Sequence, residues 1–186
     1  TDTYNTAVGY HAGVSVTTGI NNTFVGGLAG DSVTTGDNNV AVGYAALDAN
    51  QTANHNVAIG GSALGSNTTG ATNTAVGGES MTANTEGGNN VALGYQSLHD
   101  LTTGSNNVAI GYQTLSTEDA HGDNVAVGYQ SLKTLNAGAD AYNTAVGSQA
   151  GLSVTTGIQN TLIGALAGDA LTDADFNIAI GHTALG

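Results

Sequence analysis

The chain has no cysteine, no proline, no tryptophan and no arginine, and Lys133 is its only lysine. Without cysteine there is no disulfide framework and no thiolate metal site, which leaves either side of a membrane open. With one basic residue against 14 acidic ones, nothing neutralises a phosphate backbone, so nucleic acid is excluded as a partner. Anionic membrane surfaces are disfavoured on the same ground. No apolar run approaches the roughly 18 residues of a membrane-spanning helix, so no membrane insertion is expected from this segment. Aromatic residues are few, seven Tyr and two Phe, and the apolar content is mostly Ala, Val, Leu and Ile. A core of such small side chains is thin, and the cross-section should be narrow. The net charge of −13 reads as solubility and mutual repulsion between molecules.

What is present is a repeat. An Asn-x-x-aliphatic-Gly box occurs eleven times, 17 residues apart except for one interval of 19 between Gly128 and Gly147. Its asparagines are Asn5, Asn22, Asn39, Asn56, Asn73, Asn90, Asn107, Asn124, Asn143, Asn160 and Asn177. Its glycines are Gly9, Gly26, Gly43, Gly60, Gly77, Gly94, Gly111, Gly128, Gly147, Gly164 and Gly181. A fixed short period describes stacked coils. No 3.6-residue pattern runs through it and glycine recurs too often for helix. The expected fold is all-β, a parallel β-solenoid or β-roll of about eleven 17-residue coils, as one array over residues 1–186. Coils stacked at about 4.8 Å would make a rod on the order of 50 Å long. The chain opens at Thr1 and stops inside a repeat at Gly186, so it is expected to be a fragment of a longer fibrous protein.

Within the box, the residues three and one before the glycine are Val, Thr, Ile or Leu, as at Val40, Val57, Ile59 and Leu93. They suit a strand and share one face. The residue between them faces the other way and is Ala, except at Phe24 and Leu162. A strand apolar on both faces asks for cover on both. One face is the coil interior. The other, expected here to be the alanine column, wants a second subunit, which makes a homo-oligomer the expected state. The glycine is read as a corner with positive φ or a close backbone approach. Stacked asparagines are expected to bond amide to amide along a column, or to form local turns.

After the glycine come Tyr in five repeats, then a small residue at the third position and Leu or Met at the fourth in seven. Four repeats carry Gly13, Gly30, Gly151 or Gly168 instead, and place Val16, Val33, Val154 or Leu171 three residues later. Thr-Thr-Gly, as at residues 17–19 and 155–157, reads as an outer strand or loop closed by a turn. The two extra residues near Ala141 and Tyr142 should bulge from that turn and leave the core alone.

The segment Asn106-Asn107-Val108-Ala109-Ile110-Gly111-Tyr112-Gln113-Thr114 resembles the head-repeat signature Asn-Ser-Val-Ala-Ile-Gly-x-x-Ser of trimeric autotransporter adhesins, with Asn in place of the first Ser. Residues 89–97 and 38–46 are close variants, and similar repeats occur in phage tail fibres. The resemblance spans the chain, although the family's usual period is shorter. It implies a left-handed parallel β-roll that is homotrimeric about a fibre axis. It also implies a localisation that is extracellular, on a cell surface or a virion fibre, and in some members the binding of matrix proteins.

Candidate chemistry is sparse. No Gly-x-Ser-x-Gly elbow or Gly-Lys-Ser/Thr loop is present, so no enzyme is expected and no cofactor. The five histidines occupy different coil positions, and no metal site is expected of them. The acidic turns at Glu118, Asp119 and Asp123, and at Asp173 and Asp175, read as solvated. Tyr95, Tyr112 and Tyr129 form a column in consecutive coils, either a binding stripe or a subunit contact. The expected function is a non-catalytic fibre or adhesin head module whose partners are further copies of itself and an extracellular protein or glycan receptor. The alternatives are a monomeric ice-binding solenoid, whose Thr-Thr-Gly column is interrupted by Gln51, Asp119 and Asn136, and a phage tail-fibre segment.

Overall fold

A computed structural model describes residues 3–186. It contains eleven strands of three residues: β1 (Thr6–Val8), β2 (Thr23–Val25), β3 (Val40–Val42), β4 (Val57–Ile59), β5 (Thr74–Val76), β6 (Val91–Leu93), β7 (Val108–Ile110), β8 (Val125–Val127), β9 (Thr144–Val146), β10 (Thr161–Ile163) and β11 (Ile178–Ile180). All join one parallel sheet in chain order. Equivalent box residues pair across every step, as Val91 with Val108 and Ile110 with Val127. The result is a β-solenoid of about ten turns, with no helix among the described residues. Coils are numbered here 1 to 11 by their box glycines.

The two faces of the strand are used the opposite way from the sequence-based expectation. The middle residue points inward: Ala41, Ala58, Ala75, Ala92, Ala109, Ala126 and Ala145 are fully buried, as are Phe24 and Leu162. The flanking Val, Ile, Leu and Thr side chains face outward and are half-buried or exposed. The reason is width. The interior also receives the third and fourth residues after the box glycine and, in most coils, the seventh, so the strand contributes one side chain per coil and two β-branched ones would not fit.

Phe24 and Leu162 make this sharing visible. A Cβ on Gly13 or Gly30 would come within 2.6 or 2.5 Å of the Phe24 ring. One on Gly151 or Gly168 would come within 2.8 or 2.7 Å of Leu162. Each large strand residue thus takes the space that the fourth-position side chain would fill in its own coil and in the coil before. Elsewhere Ala leaves that space to Leu47, Leu64, Met81, Leu98, Leu115 and Leu132, all fully buried. These six adopt left-handed backbone, φ 48 to 55°.

The box glycine meets both of its expected demands. Its φ lies between 125 and 147°, and in coils 1 to 10 a Cβ would sit on the carbonyl oxygen of the next box glycine. The asparagine column differs from an amide-to-amide ladder. Each Asn Oδ1 accepts the backbone N–H of the next Asn, as Asn107 N to Asn90 Oδ1 at 2.9 Å. Each Nδ2 mostly donates to a carbonyl fourteen residues on, as Asn90 to Gly104 at 2.9 Å. A buried amide aimed at the backbone satisfies groups that the tight turns leave unpaired. Amide-to-amide contact occurs within the column at Asn124–Asn107 and Asn177–Asn160.

Thr-Thr-Gly is a turn and adds no second strand. Its first Thr reaches across the stack, as Thr17 Oγ1 donating to the Thr34 carbonyl at 3.0 Å. Register across the long interval is held by Asn136 N to Thr155 O at 2.8 Å and Gln159 N to Ala141 O at 2.7 Å. The two extra residues therefore fall between Asn136 and Ala141, slightly earlier than expected. Gly138, Ala139 and Asp140 bulge into solvent, while Val125 still pairs with Thr144.

Candidate functional site

The eleven box asparagines and glycines are structural: Asn22 through Asn160 are buried, and Asn5 and Asn177 half-buried in the end coils. The outward strand face, the first bend and the variable turns make up the surface. On the face, one column runs Thr6, Thr23, Val40, Val57, Thr74, Val91, Val108, Val125, Thr144, Thr161, Ile178. The other runs Val8, Val25, Val42, Ile59, Val76, Leu93, Ile110, Val127, Val146, Ile163, Ile180. Neither column contains a charge, in a chain of net charge −13. Ile59, Leu93, Ile110, Val146 and Ile163 are each 37 to 39% exposed. Eleven strands at about 4.8 Å by three residues of about 3.3 Å give a strip of roughly 500 Å². That is near the largest apolar patch an ordinary monomer exposes.

Tyr95, Tyr112 and Tyr129 are brought together as expected. Their rings stack in parallel with centroids 5.8 and 5.6 Å apart. Stacking occupies the inner ring faces and leaves edges and hydroxyls outward, so a sugar ring has little free face to stack on. Tyr10 and Tyr44 stand apart from this stack, with Gly27, Gly61 and Gly78 at the intervening positions. Sequence reasoning missed the column beside it. Gln130 Nε2 donates to Gln113 Oε1 at 3.0 Å, Gln113 Nε2 to Gln96 Oε1 at 2.8 Å, and Gln96 Nε2 to Glu79 Oε2 at 2.7 Å. The signal was Gln recurring two residues after the box glycine in consecutive coils. Tyr95 Oη donates to the same Glu79 carboxylate at 3.3 Å, and that charge raises the Tyr95 phenol pKa.

The acidic turns are of two kinds. Asp173 and Asp175 are exposed, and Asp175 Oδ1 accepts the Ile158 N–H at 2.8 Å. Glu118, in contrast, is fully buried, and burial raises its pKa above the ordinary carboxylate range. It gathers Asp119 and His121. Asp123, expected with them, instead accepts from Asn106 Nδ2 at 3.3 Å. The other histidines remain separate: His99 pairs with Asp100 at 2.6 Å and His11 lies 3.9 Å from Asp31.

Comparison with protein-family models, with curated proteins and with solved structures found no match to this chain.

Proposed function

We propose that this chain is a non-catalytic fibre or adhesin-type head module that works as a bundle of identical chains joined along the outward strand face. The observation that carries this is the charge-free strip of Val, Ile, Leu and Thr on all eleven strands. Burying about 500 Å² per chain approaches the lower range of stable interfaces, and the tyrosine edges add to it. A closed arrangement of three chains covers every copy of the strip, and head-repeat resemblance favours that trimer with a left-handed roll. An extracellular or virion location follows from the same resemblance. Receptor contact then falls on the stacked tyrosines and the variable turns, repeated threefold so that weak contacts act together.

Sedimentation equilibrium tests this. The wild-type chain should have three times its monomer mass, and Ile110→Lys with Val76→Lys should be monomeric while retaining the β circular dichroism signal. A wild-type monomer at high micromolar concentration overturns it.

A second reading, a monomeric ice-binding solenoid, draws on the same strip. It is a regular in-register array of Thr and β-branched side chains, although Val40, Val57, Val91, Val108 and Val125 interrupt the threonines. Thermal hysteresis in a monomeric preparation would favour it.

A further inference from the structure

The Glu118 turn differs from its counterparts in a way that points to a ligand. Glu118 occupies the seventh position after the box glycine, where Asn50, Asn67 and Asn84 stand in coils 3 to 5. Those asparagines donate into their own turns, to the Ala53, Gly70 and Gly87 carbonyls at 3.1, 2.9 and 3.1 Å, and Asn50 also accepts the Ala53 N–H at 3.0 Å. In coils 6 and 8 the position holds buried Leu101 and Leu135. Between these two leucines sits a carboxyl group that no lysine or arginine pairs with among the described residues. It accepts only two long bonds, from His121 N at 3.2 Å and Ala137 N at 3.4 Å. Charge-assisted bonds are ordinarily about 2.7–2.9 Å.

His121 stands where most coils have Gly, as at Gly70, Gly87 and Gly104. Its Nδ1 is buried and has no hydrogen-bond partner. It lies 3.4 Å from Glu118 Oε1. Two ligand atoms about 2.0–2.1 Å from a tetrahedral ion are about 3.3–3.4 Å apart, so this separation is an edge of that tetrahedron. Asp119 brings a third donor, with all three ligand atoms within 4.8 Å of one another. An imidazole with two carboxylates is a zinc-type donor set, and a solvent-facing Asp119 leaves a path for entry.

We propose that Glu118, Asp119 and His121 bind one divalent transition-metal ion, of which Zn²⁺ is the type, at the turn beside the 19-residue coil. The ion would neutralise the buried carboxylate and, through Ala137 N on Glu118, pin the widened turn of the next coil. The site is independent of whether chains associate through the strand face.

The test uses the untagged chain, stripped with chelator and titrated with Zn²⁺ by calorimetry and with Co²⁺ by visible absorption. One ion per chain, with an intense Co²⁺ band of low coordination number, is expected. His121→Gln and Glu118→Gln should each weaken binding by about tenfold or more. Circular dichroism checks that each variant keeps the fold of the wild type. Asp173→Asn with Asp175→Asn should leave affinity unchanged. No binding up to millimolar Zn²⁺, or equal affinity in the wild type and His121→Gln, overturns the proposal.

Discussion

Coils 1–2 and 9–10 fill their interior differently from coils 3–8. In the outer pairs one large strand side chain, Phe24 or Leu162, enters the core, and the bend beside it is Gly in two successive coils. In the middle coils the strand gives Ala and the bend gives Leu or Met in left-handed backbone. That conformation costs a non-glycine residue roughly 1–2 kcal/mol, which the burial of a Leu side chain, about 1.5–3 kcal/mol, offsets. The interior volume is the shared constraint, and it is settled between neighbouring coils, since Phe24 excludes side chains at both Gly13 and Gly30.

The sharpest way to break this comparison is to force one solution into the other. Gly30→Leu places a Cβ 2.5 Å from the Phe24 ring and demands left-handed backbone of a leucine. It should destabilise by about 3 kcal/mol or more. Combining Phe24→Ala with Gly13→Leu and Gly30→Leu recreates the middle solution and should recover most of that loss. Urea midpoints measure the totals, and hydrogen exchange should localise the single-variant damage to coils 1–3, because coils contact only their neighbours. A triple variant no more stable than Gly30→Leu would mean that volume exchange is not what pairs these residues.

The asparagine column is common to both regions and so separates ladder from core. Asn90→Ala leaves the Asn107 N–H and the Gly104 carbonyl without their side-chain partners in a buried setting. A loss of roughly 2–4 kcal/mol is expected, against less than about 1 kcal/mol for Asn177→Ala in the half-buried last coil. Equal losses at the two positions would show that burial is not what gives the ladder its weight.

The period and the glycine corner were legible because one residue type, Asn or Gly, recurs at each position, and the strand because Val, Thr, Ile or Leu flanks a middle residue in every box. Glycine alone fits where a Cβ would land on the next coil's carbonyl, and Asn offers, on one short side chain, a separate acceptor oxygen and donor nitrogen that reach two backbone groups at once. The inward direction of Ala was not read, because size suggests Val and Ile as the core residues. Yet the clue stood in the sequence: Phe24 and Leu162 coincide with Gly at the bend in two adjacent coils, which makes sense only if the middle strand residue shares the interior. Glu118 was read as solvated because its neighbours Asp119 and Asp123 are acidic. Its register with Asn67, Asn84, Leu101 and Leu135 marked it as inward.

Smaller effects distinguish the surfaces of the two regions. Tyr112 is stacked on both sides, so Tyr112→Ala should cost about 0.5–1.5 kcal/mol in the isolated chain. Tyr44 in coil 3 has no stacked neighbour and is 65% exposed, so Tyr44→Ala should stay within about 0.5 kcal/mol of wild type. Thermal melts of the two variants give the comparison, and a cost at Tyr44 matching that at Tyr112 would remove the stack as a stabilising feature.

The smallest effect lies at the seam between coils 2 and 3. Asp31 and Asp48 occupy equivalent positions one coil apart, and Asp31 Oδ1 is buried without a hydrogen-bond partner. Partial burial, and then the Asp31 charge, raise the Asp48 pKa. The folded chain therefore holds this proton to higher pH than the unfolded chain does. Its contribution to stability is complete below the ordinary aspartate range and is lost as pH rises through the raised value. Asp48→Asn removes that titration, so its melting temperature should fall less than that of the wild type over the same interval. Solvent screening of a half-buried carboxylate keeps the difference to about 0.5 kcal/mol or less. Parallel melting curves for the two proteins from pH 3 to pH 7 would mean that neither partial burial nor the Asp31 charge perturbs Asp48 enough to register in the stability of the seam.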